Sequence, residues 1–199
     1  MINYGPPEME QSGQENRSSF PQDLKINLKK TTEQDFPFFK RWIDEKENSK
    51  WFTSIYRLGK YNEITHLLTL KKKENYIFTI FDADKPIGLI GLYNIDLLDK
   101  SAMIWDVLGD KAYVRKGVMT TAMRLCIQEA FSTLGLHSIY GWLVEDNIPA
   151  LRVAEKNNFK RIGIQRECHF MDGTFKNRIL VDLTVDDVKD DIKIERRDK

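Results

Sequence analysis

The sequence predicts a single α/β domain, a mixed sheet with helices on both faces. Three observations predict it. Segments of helical and strand periodicity alternate along the chain, in the order β, α, α, β, β, β, α, β, α, β, β. Apolar residues make up 41% of 199 residues, enough for one sizeable core. No internal repeat divides the chain, and its length fits one domain between residues 22 and 185.

Leu24 to Leu28 alternates apolar and polar residues, which predicts a strand. Thr31 or Thr32 can cap the helix that follows, with Glu33 and Asp35 favourable in its first turn. That helix carries Phe36, Phe39, Trp42 and Ile43 on one stripe and fades by Asn48. A second helix is expected from Asn62 to Lys72. Tyr76–Phe81 and Pro86–Tyr93 form two strands of a hairpin around the turn at Asp82–Lys85. Ala102–Leu108 is the next strand. A helix opens near Lys116, with Met119, Ala122, Met123, Cys126, Ile127, Ala130 and Leu134 on its inner face; Gly135 stops it. Ser138–Val144 is a strand, and the helix after Asn147 ends at Asn157 and Asn158. Strands near 160–170 and 176–183 close the domain, joined by a turn at Asp172 and Gly173.

The ends differ in character. Residues 1–21 are rich in Gly, Pro, Ser, Gln and Asn, which predicts a disordered tail. Residues 186–199 are mostly charged and read as a solvated end. The net charge of +1 supplies no field of one sign, which argues against a dedicated nucleic-acid or membrane-surface binder. The Lys71–Lys73 run reads as the solvated end of a helix. No apolar run reaches the ~20 residues of a membrane span, and the N-terminus lacks the pattern of a secretory signal. The cysteines, Cys126 and Cys168, are isolated and fall in apolar elements, which predicts buried thiols of a reducing, cytoplasmic compartment. His66, His137 and His169 show no metal-ligand spacing, so no metal is expected.

The segment Tyr113–Met123 carries chemistry. Arg115, Lys116 and Gly117 stand at the start of a long helix, just after a strand. A diphosphate needs convergent N–H donors and a positive field, and a helix N-terminus supplies both. Val118, Met119 and Thr120 would present those amides, and Gly117 lets the backbone approach an anion. The same pattern also serves as an ordinary helix start. About thirty residues later, Asn147 stands at a strand-to-helix turn before Pro149, where its structural role is an N-cap.

In this order and spacing, the two segments resemble the acetyl-CoA site of the Gcn5-related N-acetyltransferases, the GNAT superfamily, over roughly residues 24 to 184. The nearest likeness is to the branch acetylating ribosomal-protein N-termini, polyamines and amino sugars. The family pattern Gln/Arg-x-x-Gly-x-Gly/Ala reads Val114 to Met119 here. The central Gly117 is present; Val114 and Met119 depart from the pattern.

The resemblance implies a mostly antiparallel sheet whose central parallel pair splays apart to admit pantetheine. It assigns cofactor contacts to the main chain of Val107, Leu108 and Gly109, to Arg115, Lys116, Gly117, Val118, Met119 and Thr120, and to Asn147. The tyrosine that many members use to protonate the leaving thiolate is Ala154 here. The activity implied is direct acetyl transfer from acetyl-CoA to a primary amine: a small amine, an amino sugar or a peptide N-terminus. The alternative is a non-catalytic module that binds acyl-CoA. A homodimer is left open.

Such a reaction needs a base, because an alkylamine with a pKa near ~10 is almost fully charged at pH 7. Asp106 and Glu145 are the candidates by position, each with a surface or edge carboxylate as its ordinary role. Alternation alone leaves the face of Asp106 undecided. Trp51, Phe52 and Tyr56 form an aromatic cluster that either lines an acceptor pocket or packs helices on the sheet.

Overall fold

A computed structural model describes residues 24–188. The expected tail over residues 1–21 lies outside them. Seven strands form one sheet in the order β1-β2-β3-β4-β5-β7-β6. They are β1 Ile26–Lys30, β2 Tyr76–Asp82, β3 Lys85–Asp96, β4 Ser101–Leu108, β5 Ser138–Val144, β6 Lys160–Met171 and β7 Thr174–Thr184. Every neighbouring pair is antiparallel except β4 and β5. The expected order of elements is observed, with two single helical turns, at 46–49 and 54–57, added between the two helices expected after the first strand.

One face of the sheet carries α1 (Phe36–Asp44), the single turns α2 (Lys46–Ser49) and α3 (Ser54–Arg57), and α4 (Glu63–Lys71). Helix α1 begins after a 3-10 turn in which the Asp35 carboxylate accepts from the Thr32 amide (2.7 Å) and hydroxyl (3.0 Å). Of the two candidate caps, Thr32 is therefore the one in use. Thr31 is buried and shares a hydrogen bond with the Thr79 hydroxyl at 3.1 Å. The stripe on α1 buries Phe39, Trp42 and Ile43 against Ile77, Leu89 and Val107. His66 on α4 is also buried: its Nδ1 meets the Tyr61 hydroxyl (2.9 Å) and its Nε2 meets the Thr32 carbonyl (3.3 Å).

The opposite face carries α5 (Val118–Gln128) and α6 (Ile148–Lys156), which pack on Ile80, Ile90, Ile104 and Ile139. Helix α5 starts at Val118, two residues later than expected. Arg115 (φ 64°) and Gly117 (φ 76°) both take left-handed backbone, which no helix turn accommodates. Its last turn, Glu129–Thr133, widens to π-helix and carries Ala130 and Phe131 into the core.

Two further expectations need correction. Cys126 is fully buried, but Cys168 is only partly buried. Strand β6 slips register between Gln165 and His169, with Glu167 at φ 49°, and the Cys168 thiol lies 3.3 Å from the Gln165 carbonyl. The fold also runs past the boundary expected at 185. The Asp187 carboxylate accepts from the Thr184 amide (2.9 Å) and pairs with Lys160, and Val188 is buried in the core.

Candidate active site

The site is built around the parallel pair. Strands β4 and β5 pair only through Ser101–Ser138, Ala102–Ile139 and Met103–Tyr140. Both continue, to Leu108 and Val144, without pairing further. Each is held on its other side, β4 by β3 from Gly88 to Tyr93 and β5 by β7 along its whole length. The gap between them is therefore a fixed feature of the sheet.

A cavity of about 240 Å³ occupies this gap. Met123, Asn147, Ala150 and Ala154 line it from the α5 and α6 face. Trp51, Phe52, Tyr56, Tyr93 and Trp105 line it from the α1 face, with Trp142 on β5. Of the expected aromatic cluster, Phe52 and Tyr56 pack against the core under α1, and Trp51, Phe52 and Tyr56 all line this cavity. Phe52 meets Tyr56 edge-on, and Tyr93 stacks on Trp105 with ring centroids 5.3 Å apart. Tyr93, Trp105 and Trp142 were not singled out as site residues from the sequence, because strand pairing rather than a local motif brings them here.

Asp106 also lines the cavity, and among the described residues it is the only charged side chain that does. Register decides its face. Asp106 pairs with Ile90 and its neighbour Val107 with Leu89. Ile90 belongs to the core under α5, and Leu89 and Val107 to the core under α1. Directly paired residues share a face, so Asp106 projects toward α5. Desolvation there raises its pKa to about 6. Its charge, after burial, helps push the Cys126 thiol up.

Glu145 is placed differently. It is absent from the cavity wall, and its carboxylate accepts from the Asn177 amide (2.8 Å) and side chain (2.9 Å). It clamps the end of β5 to β7, so the geometry corrects its candidacy as the base.

The main chain of β4 presents itself alternately to β3 and to the gap. The Gly109 and Asp110 amides both donate to the Ile87 carbonyl at 2.9 Å, and the Val107 carbonyl lies against Gly88 of β3, which gives the phase. Val107 and Gly109 thus serve β3, and Asp106 and Leu108 turn their main chain to the gap.

Beyond β4 the loop is held by its own bonds. Asp110 accepts from the Ala112 amide (2.9 Å) and pairs with Lys85 (2.7 Å), and Tyr113 donates to Asp82 (3.0 Å). These bonds deliver Gly117 as the N-cap of α5. The first amides of that helix, of Val118, Met119 and Thr120, have no intrahelical partner, and among the described residues no side chain caps them. Arg115 and Lys116 are exposed beside them. Asn147 caps α6 through a long contact, its Oδ1 lying 3.4 Å from the Ala150 amide, and it borders the cavity as well.

This combination of a splayed parallel pair and an uncapped, glycine-led helix agrees with the family model for the acetyltransferase (GNAT) domain, which matches residues 25–160. The chain belongs to the GNAT acetyltransferase family. It is 35% identical to a probable N-acetyltransferase of Bacillus subtilis, YjcK, over 66% of this chain and 71% of that protein. Among solved structures it resembles the spermidine N-acetyltransferase of Vibrio cholerae in complex with CoA and spermine. The TM-score is 0.71 and identity 20%, over 80% of this chain and 95% of that one. It also resembles RimJ of Mycobacterium smegmatis in complex with CoA-disulfide, with TM-score 0.69 and 17% identity, over 82% and 83% of the two chains. These likenesses are of the fold. GNAT acetyltransferases use acetyl-CoA. Among the described residues, no helix is long and apolar enough to cross a membrane.

Proposed function

We propose that this chain transfers an acetyl group directly from acetyl-CoA to a primary amine in the cavity between β4 and β5. The observation that carries the reading is the continuity of that cavity. It reaches from Asn147, Ala150 and Ala154 on one face of the sheet to the aromatic wall on the other. Two reactants entering from opposite faces therefore meet in the gap.

The residues present fit the diphosphate and pantetheine of a CoA molecule. Val118, Met119 and Thr120 offer uncapped amides at the positive end of the α5 dipole, and Arg115 and Lys116 add charge. Gly117 supplies the left-handed turn that opens the helix. The gap-facing main chain of Leu108 and Asp106 offers hydrogen bonds to an extended amide chain, and an amide there polarises an acyl oxygen. Asn147 contacts the same chain while capping α6. Acetyl-CoA, when bound, supplies an activated thioester.

Asp106 accepts the proton of the attacking amine by way of cavity water. A pKa of about 6 leaves it mostly ionised at neutral pH and closer to the amine's task than an ordinary carboxylate. Holding amine and acyl group in one small cavity supplies the attack geometry. No covalent enzyme intermediate is involved: Cys126 is fully buried under α5, its thiol pushed up by burial. The side chain at Ala154 offers no acid for the departing thiolate. A CoA thiol with a pKa near that of cysteine, ~8.5, leaves without one.

A thermal-shift titration with acetyl-CoA, desulfo-CoA and ATP tests the placement of the cofactor. A saturable rise with both CoA ligands and none with ATP is expected. No rise at high acetyl-CoA would remove the proposal.

A further inference from the structure

The acceptor side of the cavity has a chemistry of its own, and it differs from what a polyamine requires. A polyamine carries several ammonium groups, and each one beyond the reacting nitrogen is matched most strongly by a carboxylate through a charge-assisted hydrogen bond. The α1-face wall consists of Trp51, Phe52, Tyr56, Tyr93 and Trp105 with Thr53, and contains no carboxylate among the described residues. The acids nearest the end of β5 are already engaged. Glu145 is held by Asn177, and Asp146 pairs with Lys176 at 2.7 Å.

The charge flanking this wall is positive. The Arg178 guanidinium lies 3.8 Å over the Trp142 ring. It also donates to His169 Nδ1 at 3.3 Å, and His169 Nε2 donates to the Lys50 carbonyl at 2.7 Å, just before Trp51. Arg57, one residue beyond Tyr56, donates to the Phe170 carbonyl. A ring already holding a cation on its π-system is a poorer host for a second ammonium. It remains a good stacking surface for an apolar or aromatic body. Tyr93 and Trp105 stack on one another within 5° of parallel and present the same kind of surface.

We infer that the acceptor is a primary monoamine carried on a flat apolar body, of the arylalkylamine type, and that the chain discriminates against polyamines. This assignment rests on the acetyl-transfer reading. The aromatic wall takes the flat body by stacking, and the amine points into the gap. Arg57 and Arg178 disfavour a second ammonium at the mouth.

The test compares 2-phenylethylamine with spermidine as acceptors for the full chain, by initial-rate thiol release from acetyl-CoA. Binding is read separately by quenching of tryptophan fluorescence, since three of the four tryptophans line the cavity. A kcat/KM for phenylethylamine about tenfold or more above that for spermidine is expected, the scale of discrimination a shaped apolar pocket provides. Saturable quenching should occur with phenylethylamine alone. Thr53→Asp places a carboxylate on the wall at an exposed position. It should narrow the ratio several-fold by improving the use of spermidine. Equal or better use of spermidine by the unmodified chain would overturn the acceptor assignment and leave acetyl transfer standing. Absence of thiol release with every amine would overturn both.

Discussion

The indole of Trp42 occupies the space where a side chain at Gly109 would begin. A Cβ built on Gly109 falls 2.1 Å from Trp42 Cδ2 and 2.2 Å from Cε2. Glycine is required here by close packing, and the contact has a consequence for the site. It presses the end of β4 against α1, and the Gly109 amide then donates to Ile87. Gly109→Ala should destabilise the fold by about 1–3 kcal/mol, the usual cost of overpacking. Trp42→Ala, which empties a fully buried site, should cost about 3–5 kcal/mol. Urea denaturation of both variants and of the double variant checks the contact. The double variant should lose less than the sum, because removing the indole makes room for the methyl.

Asp106 has a pH signature with a definite sign. Its folded pKa of about 6 lies above its ordinary value of 3.8. Between those pH values the folded state holds more protons than the unfolded one, so this group's contribution to stability falls as pH rises from about 4 to 6. Asp106→Asn should therefore raise Tm at pH 7.5 and have little effect at pH 4. If Asp106 accepts the amine proton, the same variant should lower kcat/KM by about 100-fold or more and remove a rise in activity through pH 6. Glu145→Gln is the contrast. It weakens the clamp to Asn177 and should lower stability while leaving the pH profile in place. A pH profile unchanged in Asp106→Asn would remove its role as base.

Gly117 combines a left-handed backbone with the N-terminus of α5. Gly117→Ala should cost about 1 kcal/mol, the price of a Cβ at positive φ. Gly117→Glu should also abolish CoA binding, since it sets a negative charge where the diphosphate is proposed to sit. Isothermal titration with acetyl-CoA distinguishes the two effects. Full affinity in the glutamate variant would move the cofactor site elsewhere.

Asn147 serves α6 through a contact at 3.4 Å, too long for a strong cap. Asn147→Ala should therefore cost about 0.5–1 kcal/mol in stability. Its effect on acetyl-CoA affinity should be larger, about tenfold, if the side chain contacts the cofactor. A loss confined to Tm would make Asn147 a cap and nothing more.

What the sequence made legible is what local periodicity encodes. The stripe of Phe36, Phe39, Trp42 and Ile43 and the broad inner face of α5 each specify a helix and its buried side. Gly117 marks the approach to α5, although Arg115 takes the same left-handed backbone and the helix begins only at Val118. The remainder depends on pairing between distant segments. Asp106 takes its face from its register with Ile90, and Glu145 is taken out of the site by Asn177. Cys168 leaves the core through a bulge, whereas His169 beside it is buried by reaching the Lys50 carbonyl. Asn177 and Lys50 lie far along the chain from the residues they control, and the Asp106–Ile90 register depends on an irregularity between Tyr93 and Asp96 in the β3–β4 hairpin that no local pattern announces.

The most direct measurement is a single-turnover reaction of the full chain with excess enzyme, labelled acetyl-CoA and 2-phenylethylamine. Free CoA and acetylated amine are followed together by mass spectrometry. Direct transfer requires the two to appear at one rate, with no label on the protein and no CoA released before amine is added. Acetyl-CoA remaining intact with every amine, or label accumulating on the protein before the amine is acetylated, would contradict it.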